Sequence, residues 1–324
     1  MKIFFKILLW VLIIFSISPL FVFEEFAKSS LIFSYPPRFI LAFLSILIFG
    51  YFGFQKKSLV SIISIFFFFI NIYFIGLNFG NSIESENGFT VLSFNIHNTK
   101  EKLSEFKTFC KKNKVDFLIL QEVKKRDRRT FSDVLSDYKF YAMNENEEFE
   151  HKNYSPFSSV IGIRKSLLTK ESFIETAITG YRTFALKIEI QEREIWLVNV
   201  HTTKAFYLDK KSSLSDLIEK ASDKADWHLK ESELLNKWIS SKNELPILIS
   251  GDFNAPFYSS NLNLSGMRNA HSEVGIGFHL TFPRAFPVWG IDHTLGNEKV
   301  RFQNYETINF GFSDHKGQLF KIDF

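Results

Sequence analysis

The sequence contains a single cysteine, Cys110, among its 324 residues. One cysteine cannot form an internal disulfide, and it excludes a zinc site built from several thiolates. Cys110 follows Leu103 and Phe106 at helical spacing in a lysine-rich segment, which favours a buried structural thiol over a nucleophile. The stability of the chain and any chemistry it performs must therefore come from other side chains.

A surplus of basic residues is missing from most of the chain. The formal net charge is +4, but residues 1–80 hold six basic and two acidic side chains, so the remainder carries 33 of each sign. Duplex-binding proteins normally carry a basic excess, and single-strand binders interleave basic with aromatic residues. Neither pattern is evident after residue 80. The charge therefore argues against general nucleic-acid binding, although a local basic patch stays compatible with it.

Apolar residues are abundant but concentrated near the N-terminus. They make up 46% of the chain, Phe alone contributes 40 residues, and three long apolar runs occupy 3–23, 39–54 and 59–79. A helix needs about 20 apolar residues to cross a bilayer, so the second run is sufficient only if it extends back to Leu31. No small-residue cleavage pattern follows the first run, which argues against a removed signal peptide. Residues 1–80 are therefore predicted to be a transmembrane region of about three helices, with two as the alternative.

Lysines beside the apolar runs predict the orientation of this region. Lys2 and Lys6 precede the first run, and Lys56 and Lys57 separate the second from the third. Because lysine-rich ends are retained in the cytoplasm, three spans place the remainder of the chain outside it, anchored to the cytoplasmic membrane, and two spans reverse the side. The sequence thus predicts a lipid bilayer as partner, a short linker at 81–87 and a separate domain at 88–324.

Residues 88–324 alternate between predicted strands and helices. Short apolar runs bounded by polar residues predict strands, and apolar residues recurring every three to four positions predict amphipathic helices. This rhythm indicates an α/β domain. The predicted strands are 89–95, 117–121, 160–163, 184–190, 195–200 and 246–250, and the predicted helices are 100–112 and 214–239.

Several segments at strand ends contain residues able to bind metal or phosphate. A lone Asx residue after a strand usually serves a turn, so the full ordered set carries the argument. Acids, amides and imidazoles at the ends of neighbouring strands gather on one rim of a sheet, where ligands bind. The segments lie at 93–97, 120–123, 199–202, 251–256, 291–293 and 313–315.

The order and the amino-acid sequences of these segments resemble the motifs of the endonuclease/exonuclease/phosphatase superfamily. This superfamily includes DNase I-like nucleases, inositol polyphosphate phosphatases and neutral sphingomyelinases. The most specific parts are Gly251-Asp252-Phe253-Asn254 and Ser313-Asp314-His315, and the resemblance extends from about Thr90 to the C-terminus. It implies a four-layered α/β sandwich, two packed β-sheets flanked by helices, that hydrolyses phosphoesters with Mg²⁺, Mn²⁺ or another divalent cation.

The resemblance also implies a metal-binding set. Glu122 is the preferred ligand, because a carboxylate suits a hard cation and Mg²⁺ takes only one or two protein carboxylates besides water and substrate oxygens. Asn95 supports the same region, and Asp314 supplies a second acidic group.

The remaining motif residues are expected to act on the phosphate and the attacking water. Asp252 orients or activates the water, Asn254 donates to a phosphate oxygen, and His315 stabilises developing charge while Asp292 orients its imidazole. His201 is expected to contact the phosphate. Which group removes the proton stays open. Arg182 is a further candidate for substrate binding, with an ordinary solvated arginine as the alternative.

Other polar and aromatic residues have weaker claims. His97 and His293 adjoin motif residues but are predicted to serve packing or turns, and no tyrosine aligns with a catalytic role. Structural or surface positions are predicted for His151, His228, His271 and His279.

Three functional hypotheses follow from these patterns. The first is a membrane-anchored phosphodiesterase or phosphatase acting on a lipid headgroup or a small phosphorylated molecule, which the balanced charge and the predicted tether favour. The second is an extracytoplasmic endonuclease or exonuclease. The third, from another class, is a non-catalytic membrane binding protein that retains the fold. No protein partner can be inferred from the sequence.

Overall fold

A computed structural model describes residues 2–18, 36–83, 87–97, 102–142, 157–168, 173–175, 178–179, 183–204, 214–259, 262 and 264–324. Within these ranges the helices, labelled α1 to α7 in chain order, are Lys2–Ile17, Arg38–Phe54, Ser58–Phe74, Leu103–Lys112, Arg128–Val134, Leu214–Lys242 and Ala270–Val274. The strands, labelled β1 to β14, are Leu77–Phe79, Phe89–Asn95, Phe117–Lys124, Tyr138–Ala142, Phe157–Arg164, Phe173–Glu175, Phe184–Ile190, Arg193–His201, Ile247–Asp252, Arg268–Asn269, Ile276–Phe278, Asp292–Gly296, Arg301–Ile308 and Gly317–Asp323.

Helices α1, α2 and α3 form an N-terminal bundle with an unusual distribution of polarity. Its outward side chains are large and apolar: Phe66 is 61% exposed, Phe69 63% and Trp10 65%. Its interior instead contains Asn71, whose Nδ2 donates to Ser16 Oγ at 2.8 Å. The other buried polar residues of the bundle are Ser18, Arg38, Ser45, Ser61 and Ser64. This is the reverse of a water-soluble bundle, in which polar residues face outward.

The three bundle helices are shorter than the sequence predicts. They contain 16, 17 and 17 residues. At 1.5 Å per residue the longer two extend about 25 Å, whereas a hydrocarbon core is about 30 Å thick. Within the described ranges, no helix combines the length and apolar character needed to cross a membrane. The prediction of about three spanning helices is therefore not supported, because residues 55–57 and 75–76 turn and 77–79 form a strand. The predicted extension to Leu31 lies outside the described residues.

Two six-stranded sheets make up the remainder of the fold. The first has the order β13-β14-β2-β3-β5-β4 and the second the order β10-β12-β9-β8-β7-β6. Each contains one parallel pair, β2 with β3 and β8 with β9, and its other pairs are antiparallel. The parallel pairs matter for function because both strands of such a pair end at the same sheet edge.

Alternation of side chains along the strands produces four layers. In β3, Phe117 and Ile119 enter the core between the sheets, while Leu118 and Leu120 face α4 and α5. In β8 and β9 one set of side chains joins the same central core and the other packs under α6, around Trp238. The strands are continuously apolar because both of their faces are buried. The predicted two-sheet architecture flanked by helices is confirmed.

Strand β1 connects the helical bundle to the two-sheet part of the fold. It begins three residues after α3 ends and pairs with β11, which lies about 200 positions later in the sequence. The residues after β1 are also hydrogen-bonded to this part of the fold. Gly80 N–H donates to Gly275 O at 3.0 Å, and Ile83 N–H donates to Gln303 O at 2.6 Å. The described residues of the predicted linker at 81–87 thus lie against the sandwich.

Candidate active site

The predicted site residues converge where the two parallel pairs end. Asn95 is the last residue of β2, His201 the last of β8, and Asp252 the last of β9. Asp292 begins β12 and is paired with Asp252 across the antiparallel ladder. Because the sheets pack face to face, strand ends from both contribute to one depression. The structure therefore brings together residues that are up to 220 positions apart in the chain.

Asp252 lies at the centre of this depression and is completely buried. Its Oδ2 accepts a hydrogen bond from Asn95 Nδ2 at 3.0 Å and lies 3.8 Å from both His201 Nε2 and His315 Nε2. Its Oδ1 accepts from the backbone N–H of Asn254 at 2.8 Å. The carboxylate is thus held rigidly while two imidazoles approach the same oxygen beyond hydrogen-bonding distance. This is the position expected for a group that orients a small ligand such as water.

His315 is oriented by Asp292. Its Nδ1 lies 2.9 Å and 3.1 Å from the two carboxylate oxygens of Asp292, which leaves Nε2 directed at Asp252. Thr281 in turn fixes Asp292, because its Oγ1 accepts from the Asp292 backbone N–H at 3.3 Å. The ring of Phe282 covers the imidazole at 4.7 Å between centroids. This arrangement fixes both the tautomer and the direction of His315, as a carboxylate does for a catalytic histidine.

Charge is distributed unequally over this buried set. Burial raises the pKa of Asp252 to about 7, although His315 acts in the opposite direction. Burial also opposes protonation of His315, but Asp292 and Asp252, with Asp314, outweigh it and raise the pKa of His315 to about 10. The neighbouring carboxylates therefore favour the protonated form of His315, whereas burial makes Asp252 less acidic. A base poised near the working pH suits proton transfer, and a fixed cation suits a phosphoryl group.

Glu122 lies beside this set on the first sheet. A bulge interrupts β3 between Leu120 and Val123, and Glu122 within it has a positive φ of 57°. Its two carboxylate oxygens lie 3.6 Å from His201 Nε2 and 3.5 Å from His97 Nδ1. Positive φ is unfavourable for a residue with a side chain, so its occurrence at a strand end is a hint of function. The bulge turns this carboxylate toward the depression.

Asp314 completes an acidic pair with Glu122 around His97. Asp314 Oδ1 lies 3.3 Å from His97 Nδ1 and 4.0 Å from His315 Nε2. Among the described residues, none donates a hydrogen bond to this buried oxygen, even though Asp314 is partly exposed. Two carboxylates that approach His97 Nδ1 to within 3.5 Å are oxygen ligands of the kind that suits a hard divalent cation. Glu122 and Asp314 therefore fit the ion that the resemblance implies, whereas the amide oxygen of Asn95 accepts from the His97 N–H at 3.1 Å.

A second group of side chains also lies close enough to bind a metal. Ligand atoms of Asp252, Asp292 and His315 all lie within 4.8 Å of one another. However, both oxygens of Asp292 are engaged by His315 Nδ1. An ion there would have to displace the hydrogen bonds that orient the imidazole. The geometry therefore suits proton transfer better at this group and cation binding better at Glu122 and Asp314.

The structure treats the other residues predicted to contact the substrate in different ways. His201 is buried beside Asp252 and Glu122, in a position to contact a bound anion. Asn254 has a positive φ of 48°, and its Nδ2 donates to Thr202 O at 2.9 Å. Arg182 lies outside the described residues, and its predicted role in substrate binding stays a prediction.

Several other histidines lie around the site. His97, expected to serve a turn, lies between two carboxylates. Behind the site, His279 and His293 stack at 4.9 Å, and His279 Nε2 lies 2.8 Å from Asp292 O while His293 Nε2 lies 2.8 Å from Ala255 O. Burial lowers the pKa of His293 to about 4 and that of His279 well below its ordinary value, so burial disfavours the charged form of both rings. The adjacency of His97 and His293 to motif residues was the available signal.

This chain is similar to known proteins in sequence and in fold. Residues 92–315 match the model of the endonuclease/exonuclease/phosphatase family. No curated protein shows a significant match over the sequence. An endonuclease/exonuclease/phosphatase from Bacteroides vulgatus superposes with a TM-score of 0.57 at 15% identity, covering 74% of this chain and 99% of its own.

Two further solved structures share the fold. The mannosyl-6-phosphatase of Bacteroides thetaiotaomicron gives a TM-score of 0.54 at 14% identity, covering 73% of this chain and all of its own. D. rerio TDP2, in complex with a single-strand DNA product, gives 0.54 at 14% identity and covers 74% and 100% of the two chains. At such low identity these likenesses concern the fold.

Proposed function

The chain belongs to the endonuclease/exonuclease/phosphatase family, whose members are metal-dependent hydrolases, and we propose that it hydrolyses a phosphodiester or phosphomonoester carried by a lipid headgroup or a small molecule. One observation carries the proposal: Asp252 Oδ2 is held by Asn95 and faced by the imidazoles of His201 and His315. A water beside this oxygen can be oriented for attack, and the imidazoles can receive the phosphoryl oxygens.

The roles of the side chains follow from their positions. Asp252 orients the attacking water and takes its proton, His315 stabilises the charge that develops on the phosphoryl group, and Asp292 holds His315 in place. His201 contacts the phosphate, with Asn254 as a further donor.

Glu122, Asp314 and Asn95 are proposed to hold Mg²⁺ or a similar divalent ion. When bound, such an ion neutralises phosphate charge and polarises the reacting bond.

The experiment is hydrolysis by the full-length protein in detergent micelles with Mg²⁺ or Mn²⁺. Bis(p-nitrophenyl) phosphate and p-nitrophenyl phosphate test the two ester types, and plasmid DNA tests the nuclease alternative. We expect turnover of at least one aryl ester that Asp252→Asn abolishes and the surface control Asp133→Asn preserves. Cleavage of DNA alone, falling steeply with salt, would favour the nuclease.

The helical bundle is proposed to be embedded in lipid. Its outward Phe, Ile and Leu side chains and its inward Asn71 and serines match the solvent preference of helices in a bilayer, where polar groups pair inside. In water the same surface would be an extensive exposed apolar patch. Flotation of the full chain with vesicles after alkaline carbonate washing tests this proposal, and recovery in the washed supernatant would reject it.

The predicted localisation of the catalytic domain outside the cytoplasm is carried forward as a proposal. Phe5 of α1 stacks on Tyr51 near the end of α2, so Lys2 and Lys6 lie at the same end of the bundle as Lys56 and Lys57. The catalytic domain follows the opposite end of α3. Lysines mark the retained side. Alkaline phosphatase fused after Phe324 is expected to be active, and a fusion active only with a cytoplasmic reporter would contradict the proposal.

A further inference from the structure

The ribbon formed by β1 and β11 has one face that is apolar and exposed. The paired positions are Leu77 with Phe278 and Phe79 with Ile276, and because side chains alternate along a strand these four share a face. Phe79 is 80% exposed, Ile276 72% and Phe278 45%. Large apolar side chains grouped on one surface usually mark an interaction site.

The opposite face of the ribbon is fastened to the catalytic domain. Asn78 Nδ2 lies within hydrogen-bonding distance of three carbonyl oxygens, those of His271 at 2.6 Å, Ser272 at 3.0 Å and Gly275 at 3.0 Å. In addition, His271 Nε2 lies 2.8 Å from Gly76 O. The ribbon therefore cannot rotate its apolar face inward without breaking these bonds. Its exposure is a fixed feature of the fold.

Two further exposed aromatics lie beside the bundle. Phe286 is 68% exposed, and its ring lies 5.7 Å from that of Phe39 near the start of α2. Phe257, 40% exposed, precedes Tyr258, whose ring lies 4.6 Å under the guanidinium carbon of Arg38. We name the set of Phe79, Ile276, Phe278, Phe286 and Phe257 the aromatic rim.

The rim is connected to the catalytic residues through short segments. Strand β11 leads directly to His279 and then to Thr281, which hydrogen-bonds the backbone of Asp292. Phe282, in the segment that carries Phe286, contacts the imidazole of His315. Phe257 follows Asn254 by three residues. A molecule bound at the rim therefore lies beside chain segments that support Asp292 and His315.

We propose that the aromatic rim lies in the surface of a lipid bilayer and that the substrate is a phosphoester carried by a membrane amphiphile. The substrate part of this inference rests on the proposed phosphoesterase function. Lipid is the occupant that the structure favours, because the rim continues from a bundle whose outward face is apolar and whose interior is polar. Phe and other large apolar side chains on one surface of a peripheral segment can be buried at the boundary between headgroups and acyl chains. A phosphate at headgroup depth then reaches Asp252 without leaving the membrane.

The first test measures lipid contact without using activity. The full chain with Ile276→Cys, or separately Phe278→Cys, is labelled with the environment-sensitive fluorophore NBD and reconstituted into phosphatidylcholine vesicles. Leu234→Cys on α6, 39% exposed, is the matched control, and the wild-type chain reports background labelling of Cys110, which is 1% exposed. We expect blue-shifted emission and quenching by doxyl lipids at 276 and 278 only. Water-like emission at both rim positions would overturn the proposal.

The second test separates the substrate class from the reaction. Full-length wild type, the double variant Ile276→Ser/Phe278→Ser and Leu234→Ser are compared on soluble bis(p-nitrophenyl) phosphate and on vesicles containing phosphatidylglycerol, phosphatidic acid or sphingomyelin. The double variant should lose vesicle hydrolysis by about ten-fold or more, because it gives up the burial of two apolar side chains, and keep hydrolysis of the soluble ester.

The outcomes are distinguishable. If wild type hydrolyses neither kind of ester, the proposed function fails. If it hydrolyses the soluble ester but no vesicle lipid, or if the double variant keeps full vesicle hydrolysis, the inference about the rim and the amphiphile fails while the phosphoesterase function stands.

Discussion

The helical bundle and the two-sheet domain follow opposite rules of polarity. In the bundle, Asn71, Ser45 and Ser64 are fully buried while Phe66 and Phe69 are more than 60% exposed. In the two-sheet domain, Phe117 and Phe320 are fully buried. The difference supports the proposal that the bundle lies in lipid, because apolar groups avoid water but gain nothing by leaving lipid. The two-sheet domain departs from its own rule at the strand ends, where buried acids and histidines form the candidate active site.

The largest expected effect comes from substitution in that buried polar site. Asp252→Asn and His315→Ala should each lower kcat on an accepted phosphoester by about three orders of magnitude or more, because they remove the water-orienting carboxylate and the phosphoryl-stabilising cation. Circular dichroism and thermal unfolding should stay close to those of wild type. Near-wild-type turnover in both variants would show that the buried polar set serves structure instead of chemistry.

The next effect contrasts the apolar residues of the two regions. Phe320→Ala, within the core between the sheets, should lower the free energy of unfolding by about 3–5 kcal/mol. Phe66→Ala, on the outside of the bundle, should change stability in lipid by less than about 1 kcal/mol, because lipid tails fill the space. Denaturant unfolding of the reconstituted chain gives both values. Equal losses would contradict the polarity contrast.

Much of this contrast was predictable from the sequence, although the ends of the elements were not. The strands predicted at 89–95 and 184–190 have these same bounds in the structure. Both faces of each strand are buried, so the apolar run in the sequence ends where the buried strand ends. The polar residues at strand ends also met as predicted, because parallel strands share an edge. These are local patterns with direct structural consequences.

The features that escaped prediction depend on distant contacts. Leu77–Phe79 continued an apolar run and was assigned to a helix, but its pairing with β11 is the stronger interaction. The burial of His279 and His293 agrees with the structural or packing roles predicted for them, but their stacking on each other is not visible in any local pattern. The helix lengths similarly depend on where the chain turns into the ribbon.

Acid should unfold the two-sheet domain first, because residues 1–80 contain no histidine. Burial lowers the pKa of His228 to about 4, as it does for His293, against an ordinary value of 6.5. Above pH 6.5 both histidines are neutral in the folded and in the unfolded protein. Between about pH 6.5 and pH 4 they take up protons only in the unfolded protein. Stability should therefore fall as the pH drops from 6.5 toward 4, by up to about 3 kcal/mol for each histidine.

Denaturant unfolding at several pH values measures this loss. His228→Gln keeps a donor for Phe253 O, which His228 Nε2 contacts at 2.9 Å, and should reduce the pH slope. An unchanged slope in this variant would contradict the assignment of the loss to His228.

The smallest effect concerns the polar interior of the bundle. Asn71→Leu removes hydrogen bonds to Ser16 Oγ and Phe67 O, both at 2.8 Å, and should destabilise the bundle by about 1 kcal/mol in lipid or detergent. Thermal unfolding in micelles measures it, with Phe69→Leu on the outer face as the control. A stabilised Asn71→Leu variant would show that the buried amide does not hold the helices together.

Metal dependence of hydrolysis by the full-length protein tests the central claim most directly. EDTA should abolish turnover of bis(p-nitrophenyl) phosphate and Mg²⁺ should restore it. Glu122→Gln, which removes the ligand's negative charge but keeps its shape, should require about ten-fold or more Mg²⁺ for half-maximal activity. Asp133→Asn should follow the wild-type curve. If EDTA leaves turnover intact, or if Glu122→Gln shows the wild-type dependence on Mg²⁺, the proposed catalytic centre is contradicted.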